Sequence, residues 1–301
     1  MTTSHWVRRA ADAHYQPVGA LAPESSGLSR WSCVDDGVPG AVHTGFGVCR
    51  LEPGGVVPAH VHSFEESVHV LEGEVVLQTP GAAVRLGPGD YGLVPVGAPH
   101  AWRNDGMAPA RWAEMLAPQP RERYGSDTFR VPDLELSEPV SIDPRDPRTR
   151  SFGNIRPQHM DPSKQSQELL AVSASMRTAL LVYGGVTVKM MVDSDLGAVL
   201  STMFMVQYDP DGGASPHDHP FEETYLILDG EVDATFDGEA YRLKPGDVAW
   251  AGAGCQHSFA ATGAPVRWLE TQAPQPPGRH SYRFWRDWDY LAKVLGEGNQ
   301  R

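Results

Sequence analysis

The feature that most limits what this chain can become is a repeat. Residues 60–66 read HVHSFEE and residues 217–223 read HDHPFEE, and the match extends at a constant spacing of 157 residues. His60, His62, Glu66, Gly73, Gly89, Asp90 and His100 meet His217, His219, Glu223, Gly230, Gly246, Asp247 and His257 with no insertion or deletion between them. In an extended strand, side chains two apart share a face, so His60 and His62 offer two imidazoles side by side. A short bend through Ser63, Phe64 and Glu65 returns Glu66 to the same spot, and a Gly/Pro-punctuated turn brings in His100. Each half therefore presents three histidines and one glutamate as metal ligands: His60, His62, Glu66 and His100, then His217, His219, Glu223 and His257. Such N/O sets suit iron, manganese, cobalt, nickel or zinc, and the lack of cysteine ligands argues against a closed structural zinc site. Four protein ligands on an octahedral ion leave two adjacent positions open.

Length and charge narrow the partners. With 301 residues the chain has room for two domains, each with its own core. A net charge of −13 opposes binding to nucleic acid or anionic lipid. The first residues carry no apolar signal run, and no apolar stretch is long enough to span a membrane, so a cytoplasmic protein is expected. Cys33, Cys49 and Cys255 show no CxxC spacing and are read as idle thiols of a reducing compartment. Cys255, two residues before His257, is the one where oxidation would matter.

From Gly40 the chain runs in short Val- and aromatic-rich segments separated by Gly, Pro and Asn, the pattern of an all-β barrel or sandwich. Glu72-Gly73 and Asp229-Gly230 mark hairpin turns. The expected organisation is an N-terminal arm (1–39), a first barrel (40–117), a linker with one helix (118–180), a second barrel (181–275) and a C-terminal helix or tail (276–301). The arm, with a weakly helical patch over Trp6–Ala13, would pack on a barrel or on a partner subunit, so a homo-oligomer is compatible with it. Ser166–Ala179 reads as a helix, and a second, beginning near Ser281, would stop at Gly296.

These motifs resemble the cupin family, specifically the two-domain bicupins. Gly54, His60, His62, Glu66 and Gly73 fit its first motif, and Gly89, Pro95, Gly97, His100 and Asn104 its second. The second copy keeps the ligands but has Asp211, Gly252 and Ala261 where Gly, Pro and Asn would stand. The resemblance implies two tandem jelly-roll (double-stranded β-helix) barrels with a few peripheral helices, binding up to two metal ions, iron(II) or manganese(II) first. It implies an oxidoreductase: a dioxygenase acting with dioxygen on a small enol- or phenol-like substrate, with Glu66 or Glu223 as proton acceptor.

Two other classes stay open. One is redox-neutral manganese chemistry (decarboxylase, isomerase or aminohydrolase); the other is a non-catalytic small-molecule binder. Oxalate is disfavoured, because Val57 and Ala214 stand where bicupin oxalate decarboxylases carry a gripping arginine. By strand parity Val68, Val70 and Trp102 line the first barrel, and Tyr225, Ile227 and Phe259 the second. Tyr225 is a candidate hydrogen-bond donor to substrate, set against a packed core tyrosine. Glu114 and Glu270 are candidate catalytic acids or partners of the metal ligands, set against the preferred reading as exposed strand ends, and the repeated Arg85 and Arg242 are read as serving the fold.

Overall fold

The computed structural model describes residues 4–19, 21, 24–161, 184–276 and 283–284. The expected helix over 166–179 lies outside the described residues; of the one expected from Ser281 only Arg283–Phe284 are described, and they form a short strand paired with Asp218 and His217 instead. Among the described residues, helical structure is confined to four short 3-10 turns, and no helix is long and apolar enough to cross a membrane.

The strands are β1 (His5–Arg8), β2 (Ser26–Val34), β3 (Gly45–His62), β4 (Glu65–Glu72), β5 (Val75–Thr79), β6 (Ala82–Leu86), β7 (Asp90–Val94), β8 (His100–Arg103), β9 (Ala110–Ala117), β10 (Thr128–Arg130), β11 (Pro139–Ser141) and β12 (Phe152–Asn154). There follow β13 (Gly184–Val192), β14 (Thr202–Asp218), β15 (Glu222–Asp229), β16 (Val232–Phe236), β17 (Glu239–Leu243), β18 (Val248–Ala251), β19 (His257–Ala261), β20 (Val266–Ala273) and β21 (Arg283–Phe284). One sheet runs β6-β5-β8-β3-β9-β4-β7 and the other repeats it as β17-β16-β19-β14-β20-β15-β18. The chain is a pair of jelly-roll barrels with one topology used twice.

A long strand bent at its middle closes each barrel. The first half of β3 pairs with β9, and beyond Gly54-Gly55 its second half pairs with β8. In β14 the same change of partner, from β20 to β19, falls around Gly212. The repeated Gly73 and Gly230 have φ of +68° and +75°. A Cβ there would come within 2.4 Å of Pro109 O and 2.3 Å of Pro265 O, so the spacing of the glycines repeats because the turn does.

Of the residues expected as an arm, His5–Arg8 and Ser26–Val34 are strands of the two sheets. Trp6–Arg8, expected to be helical, lie in β1, which pairs with the open edge of β18; in the first barrel β12 covers the equivalent edge of β7. An unpaired edge strand demands a partner, and that demand overrides weak helical propensity. Strand β2 pairs along β3 and forms a wall of the first barrel.

Each barrel has its own apolar core, and a third core joins the two, drawing on Trp31, Phe46 and Met115 from one and Met203, Leu226 and Trp250 from the other. Two buried glutamates clasp the joint reciprocally. Glu65 accepts from the backbone N–H groups of Val199, Leu200 and Ser201 (2.6, 3.0 and 3.2 Å), just before β14. Its counterpart Glu222 accepts from Val42, His43 and Thr44 (2.8, 3.0 and 3.1 Å), just before β3. Each glutamate precedes a candidate metal ligand, so the clasp also fixes the strand that carries Glu66 or Glu223.

Candidate metal centres

His60, His62 and His100 converge inside the first barrel, and His217, His219 and His257 inside the second. Within each trio one ligand atom per residue lies within 4.8 Å of the others, and all six residues are buried. Every ring is aimed by its Nδ1. In the first barrel His60 Nδ1 meets Pro58 O at 2.8 Å, His62 Nδ1 meets Phe64 O at 2.6 Å, and His100 Nδ1 meets Ala98 O at 3.0 Å. In the second, His217, His219 and His257 do the same with Ser215, Phe221 and Cys255 at 2.7, 3.0 and 3.0 Å. An Nδ1–H donating to a carbonyl fixes the tautomer and leaves the Nε2 lone pair for a metal.

The fourth candidate ligand lies beside each trio. Glu66 Oε2 lies 3.2 Å from Nε2 of both His62 and His100, and Glu223 Oε2 lies 2.7 Å from His219 Nε2 and 3.3 Å from His257 Nε2. Neighbouring ligands of an octahedral ion with bonds of about 2.1 Å sit about 3 Å apart, close to these separations. His100 Nε2, His257 Nε2 and Glu66 Oε1 are buried without a hydrogen-bond partner, which an ion would supply. Burial, aided by the neighbouring imidazole of His100, lowers His60 to about 4, and burial with His257 lowers His217 to about 3. Both rings are then in the neutral, ligating form at neutral pH. Burial works to raise the two glutamates, but the imidazoles at hydrogen-bonding distance outweigh it and hold both below the usual range. The residues present fit a divalent metal in both barrels.

Around this shared centre the two barrels part. A cavity of about 400 Å³ opens onto His60, His62 and Glu66, walled by Val57, Trp102, Trp112 and Leu116. Arg30, Cys49 and Glu114 line it too. Arg30 Nε donates to Glu114 Oε2 at 2.8 Å, Cys49 Sγ to Glu114 Oε1 at 3.5 Å, and Arg30 Nη2 is buried with no partner. Burial, reinforced by the charge of Glu66, raises Glu114, with Arg30 pulling the other way.

By register the second barrel has Val188 at the position of Arg30, Tyr225 at that of Val68 and Gln272 at that of Leu116. The Tyr225 hydroxyl donates to Glu223 Oε2, and Gln272 Nε2 donates to Glu223 Oε1 at 2.6 Å. Tyr208, Tyr225, Phe236, Phe259 and Trp268 fill the barrel in a chain of ring contacts. Glu270 accepts from Trp268 Nε1 at 2.9 Å, and burial with Glu223 alongside pushes it well above the usual range.

The eight ligand residues thus come together in two groups of four, and Tyr225 faces the ligand Glu223. The expectation that Glu114 and Glu270 are exposed strand ends is overturned: both side chains point into the barrels beside the ligand glutamates, because β9 and β20 place them opposite Val68 and Tyr225. Sequence reasoning missed Arg30, on a strand assigned to the arm, and Gln272; the parity of β20 would have found Gln272. All three cysteines are buried and free, and burial pushes Cys33 and Cys255 up to about 12, so neither is a reactive thiolate.

Two jelly-roll barrels, each with a buried three-histidine, one-glutamate set, define a tandem metal-binding β-barrel protein. The model for the Cupin domain matches residues 47–116 and 204–271, and the chain belongs to the cupin family as a two-domain member. Among curated proteins it is similar to the tetracenomycin polyketide synthase protein TcmJ of Streptomyces glaucescens, with 33% identity over 103 residues, covering 33% of this chain and 69% of TcmJ. It is also similar to endoribonuclease YbeY of Myxococcus xanthus, with 36% identity over 91 residues, which is 26% of this chain. The chain spans only 31% of that relative's length.

Among solved structures, a point mutant of Bacillus subtilis oxalate decarboxylase OxdC superposes with a TM-score of 0.65 at 15% identity, covering 99% of this chain and 84% of that one. The putative glyoxylate-induced protein of Pseudomonas aeruginosa gives 0.60 at 17% identity, covering 93% and 90%. At such identities the likeness is one of fold.

Proposed function

We propose that the chain is a metal-dependent bicupin enzyme whose working centre is in the first barrel, and that it acts as a dioxygenase on a small enol- or phenol-like substrate. The observation that carries this reading is the cavity reaching His60, His62 and Glu66, which combines apolar and indole walls with Arg30 and Glu114. Such a pocket suits an organic ring or a conjugated enol bearing one ionisable oxygen. The named membership of TcmJ in a polyketide synthase supports the same substrate class, since polyketide chains are rich in enolisable carbonyls and phenols.

A divalent iron or manganese held by His60, His62, Glu66 and His100 would supply Lewis acidity and a route to dioxygen. The chain's own residues do the rest. Trp102 and Trp112, stacked on one another at 5.2 Å, give the apolar part of the substrate a flat wall. Arg30 offers its unused Nη2 N–H to an ionised oxygen. Glu66 Oε1, without a partner in the protein, accepts the hydrogen bond of the substrate hydroxyl. Glu114, raised by burial and by Glu66, is the better group to hold the released proton. A substrate that supplies its own electrons needs no outside reductant.

Tyr225 and Gln272 brace Glu223 in the second barrel, so Glu223 and Tyr225 serve a metal site whose role is to hold the fold. On this reading the chain works in the cytoplasm on a small-molecule partner.

Oxygen uptake with a panel of enols and phenols, on iron- and manganese-loaded protein, tests the reading. Wild type and His217→Ala should consume dioxygen in step with product, whereas His60→Ala should lose at least about 1,000-fold in kcat/KM. Turnover that persists unchanged without dioxygen would replace the dioxygenase with a redox-neutral enzyme at the same site. Equal losses in the two variants would remove the assignment to one barrel.

A further inference from the structure

A second cavity, of about 390 Å³, lies between the barrels and away from both histidine clusters. It is lined by His69 and Arg111 of the first barrel, Arg267 of the second, and Arg156 of the segment that joins them, with Glu72 as the acidic side chain on its wall. In a chain whose net charge is −13, three guanidinium groups and an imidazole around one small space need a reason.

The charges are incompletely answered from within the protein. Arg111 Nη1 reaches Glu72 Oε1 at 3.0 Å, yet Arg111 Nε is buried without a partner. Arg267 approaches Asp229 no closer than 3.8 Å, beyond hydrogen-bonding distance, and Asp229 is largely exposed. Arg156 uses its Nε on the neutral Asn154 Oδ1, at 3.0 Å. His69 is buried, with its Nδ1 unpartnered. A buried polar atom without a partner is destabilising, and two of them on the wall of one cavity mark where a ligand atom would be stabilised. The first barrel's His69 stands where the second has Leu226, so the imidazole is not required by the repeated fold. Guanidinium groups converging from separate segments favour a compact ion with several charged oxygens.

We propose that this interbarrel cavity binds a small oxyanion carrying at least two negative charges, of the phosphate or sulfate type, held by Arg156, Arg267 and Arg111 with His69 as the buried hydrogen-bonding floor. Such an ion would tie the two barrels and their connecting segment together.

The test is calorimetric titration of the metal-loaded full-length protein with inorganic phosphate at pH 8 and constant ionic strength, with sulfate as the second probe and Tm followed in parallel. One saturable site per chain is expected, with Tm rising steadily with the logarithm of phosphate concentration. Arg156→Gln and Arg267→Gln should each weaken binding by about 10-fold or more, and Arg30→Met should leave it unchanged. Arg156 is exposed, so that variant carries the test even if Arg267→Gln folds poorly. An absence of saturable binding, an affinity unchanged in both arginine variants, or a loss in Arg30→Met instead, which would put the ion in the first barrel, would each overturn the proposal.

Discussion

The two barrels share a topology, a ligand set and the way each imidazole is aimed, and differ in what surrounds the ligand glutamate. In the first, Glu66 has one oxygen unpartnered and faces a cavity with a half-buried Arg30–Glu114 pair at its wall. In the second, both oxygens of Glu223 are engaged by Tyr225 and Gln272, and aromatic rings fill the space. The metal set is the part of this architecture that the two barrels keep in common. On the proposed function, a reacting centre and a bracing one differ at a handful of positions beside the glutamate: Val68 against Tyr225 on its own strand, and Leu116 against Gln272 on the strand paired with it.

The largest effect on stability should come where the barrels are alike. Glu65→Ala removes the acceptor of three backbone N–H groups and strands them at the joint; Glu222→Ala does the same on the other side. Each should cost about 3–5 kcal/mol, as for other broken buried charge-assisted networks. Urea unfolding of metal-loaded protein measures both. Similar losses would show that the clasp is independent of what fills each barrel. A loss confined to one variant would show that a single barrel holds the joint.

Where the barrels differ, Arg30 is the sharper probe. Arg30→Met keeps the bulk and removes the guanidinium, and should raise KM about 10- to 100-fold for an ionised substrate, the range for losing a charge-assisted hydrogen bond. It also leaves Glu114 without its partner, so the pH profile of kcat should move upward with the carboxyl. For a neutral substrate analogue KM should change little. An equal rise for both substrates would reduce Arg30 to a structural partner of Glu114.

The brace of the second barrel predicts a smaller change. Tyr225→Phe keeps the ring and removes the donor to Glu223 Oε2, and should weaken metal retention in that barrel about 10-fold, as loss of an outer hydrogen bond to a ligand does. Turnover at the first barrel should stay within about 2-fold. Metal release to a chelator, followed beside His217→Ala, resolves the two sites. Unchanged retention with lost turnover would return Tyr225 to a catalytic role.

That these histidines and glutamates would cluster was legible because their spacing is local and written twice, and the turn glycines repeat for a steric reason that the sequence alone can suggest. The barrel fold followed from the same punctuation. What surrounds the metal was not legible, because it depends on which strands meet. Arg30 precedes the motif by 30 residues and enters the barrel only because β2 pairs with β3. Glu114 looked like a strand end until its register opposite Val68 was known. Trp6–Arg8 had helical neighbours in sequence, but an open β18 edge decided their state. The pair Glu65-Glu66, repeated as Glu222-Glu223, did carry a signal. A second glutamate kept beside a ligand points to a partner of its own, and the clasp is that partner.

The finest difference between the barrels is His69 against Leu226, and it has a pH signature. Burial, with Arg267 adding to it, lowers His69 to about 4, against an ordinary value near 6.5. Above pH 6.5 the ring is neutral in both folded and unfolded chains and adds no pH dependence. As pH falls from 6.5 toward 4, the unfolded chain takes up a proton that the folded chain refuses, so stability is lost at up to about 1.4 kcal/mol per pH unit. Below 4 both states are protonated and the loss stops growing. His69→Leu, which installs the second barrel's own residue, should be flatter than wild type by this amount across that window. Urea midpoints of metal-free protein in chloride buffers compare the two directly, because the chains differ at residue 69 alone. Parallel curves would mean that the imidazole is protonated in the folded state near its ordinary value. His69 would then be a charged wall of the interbarrel cavity, and the two barrels would differ there by a full positive charge.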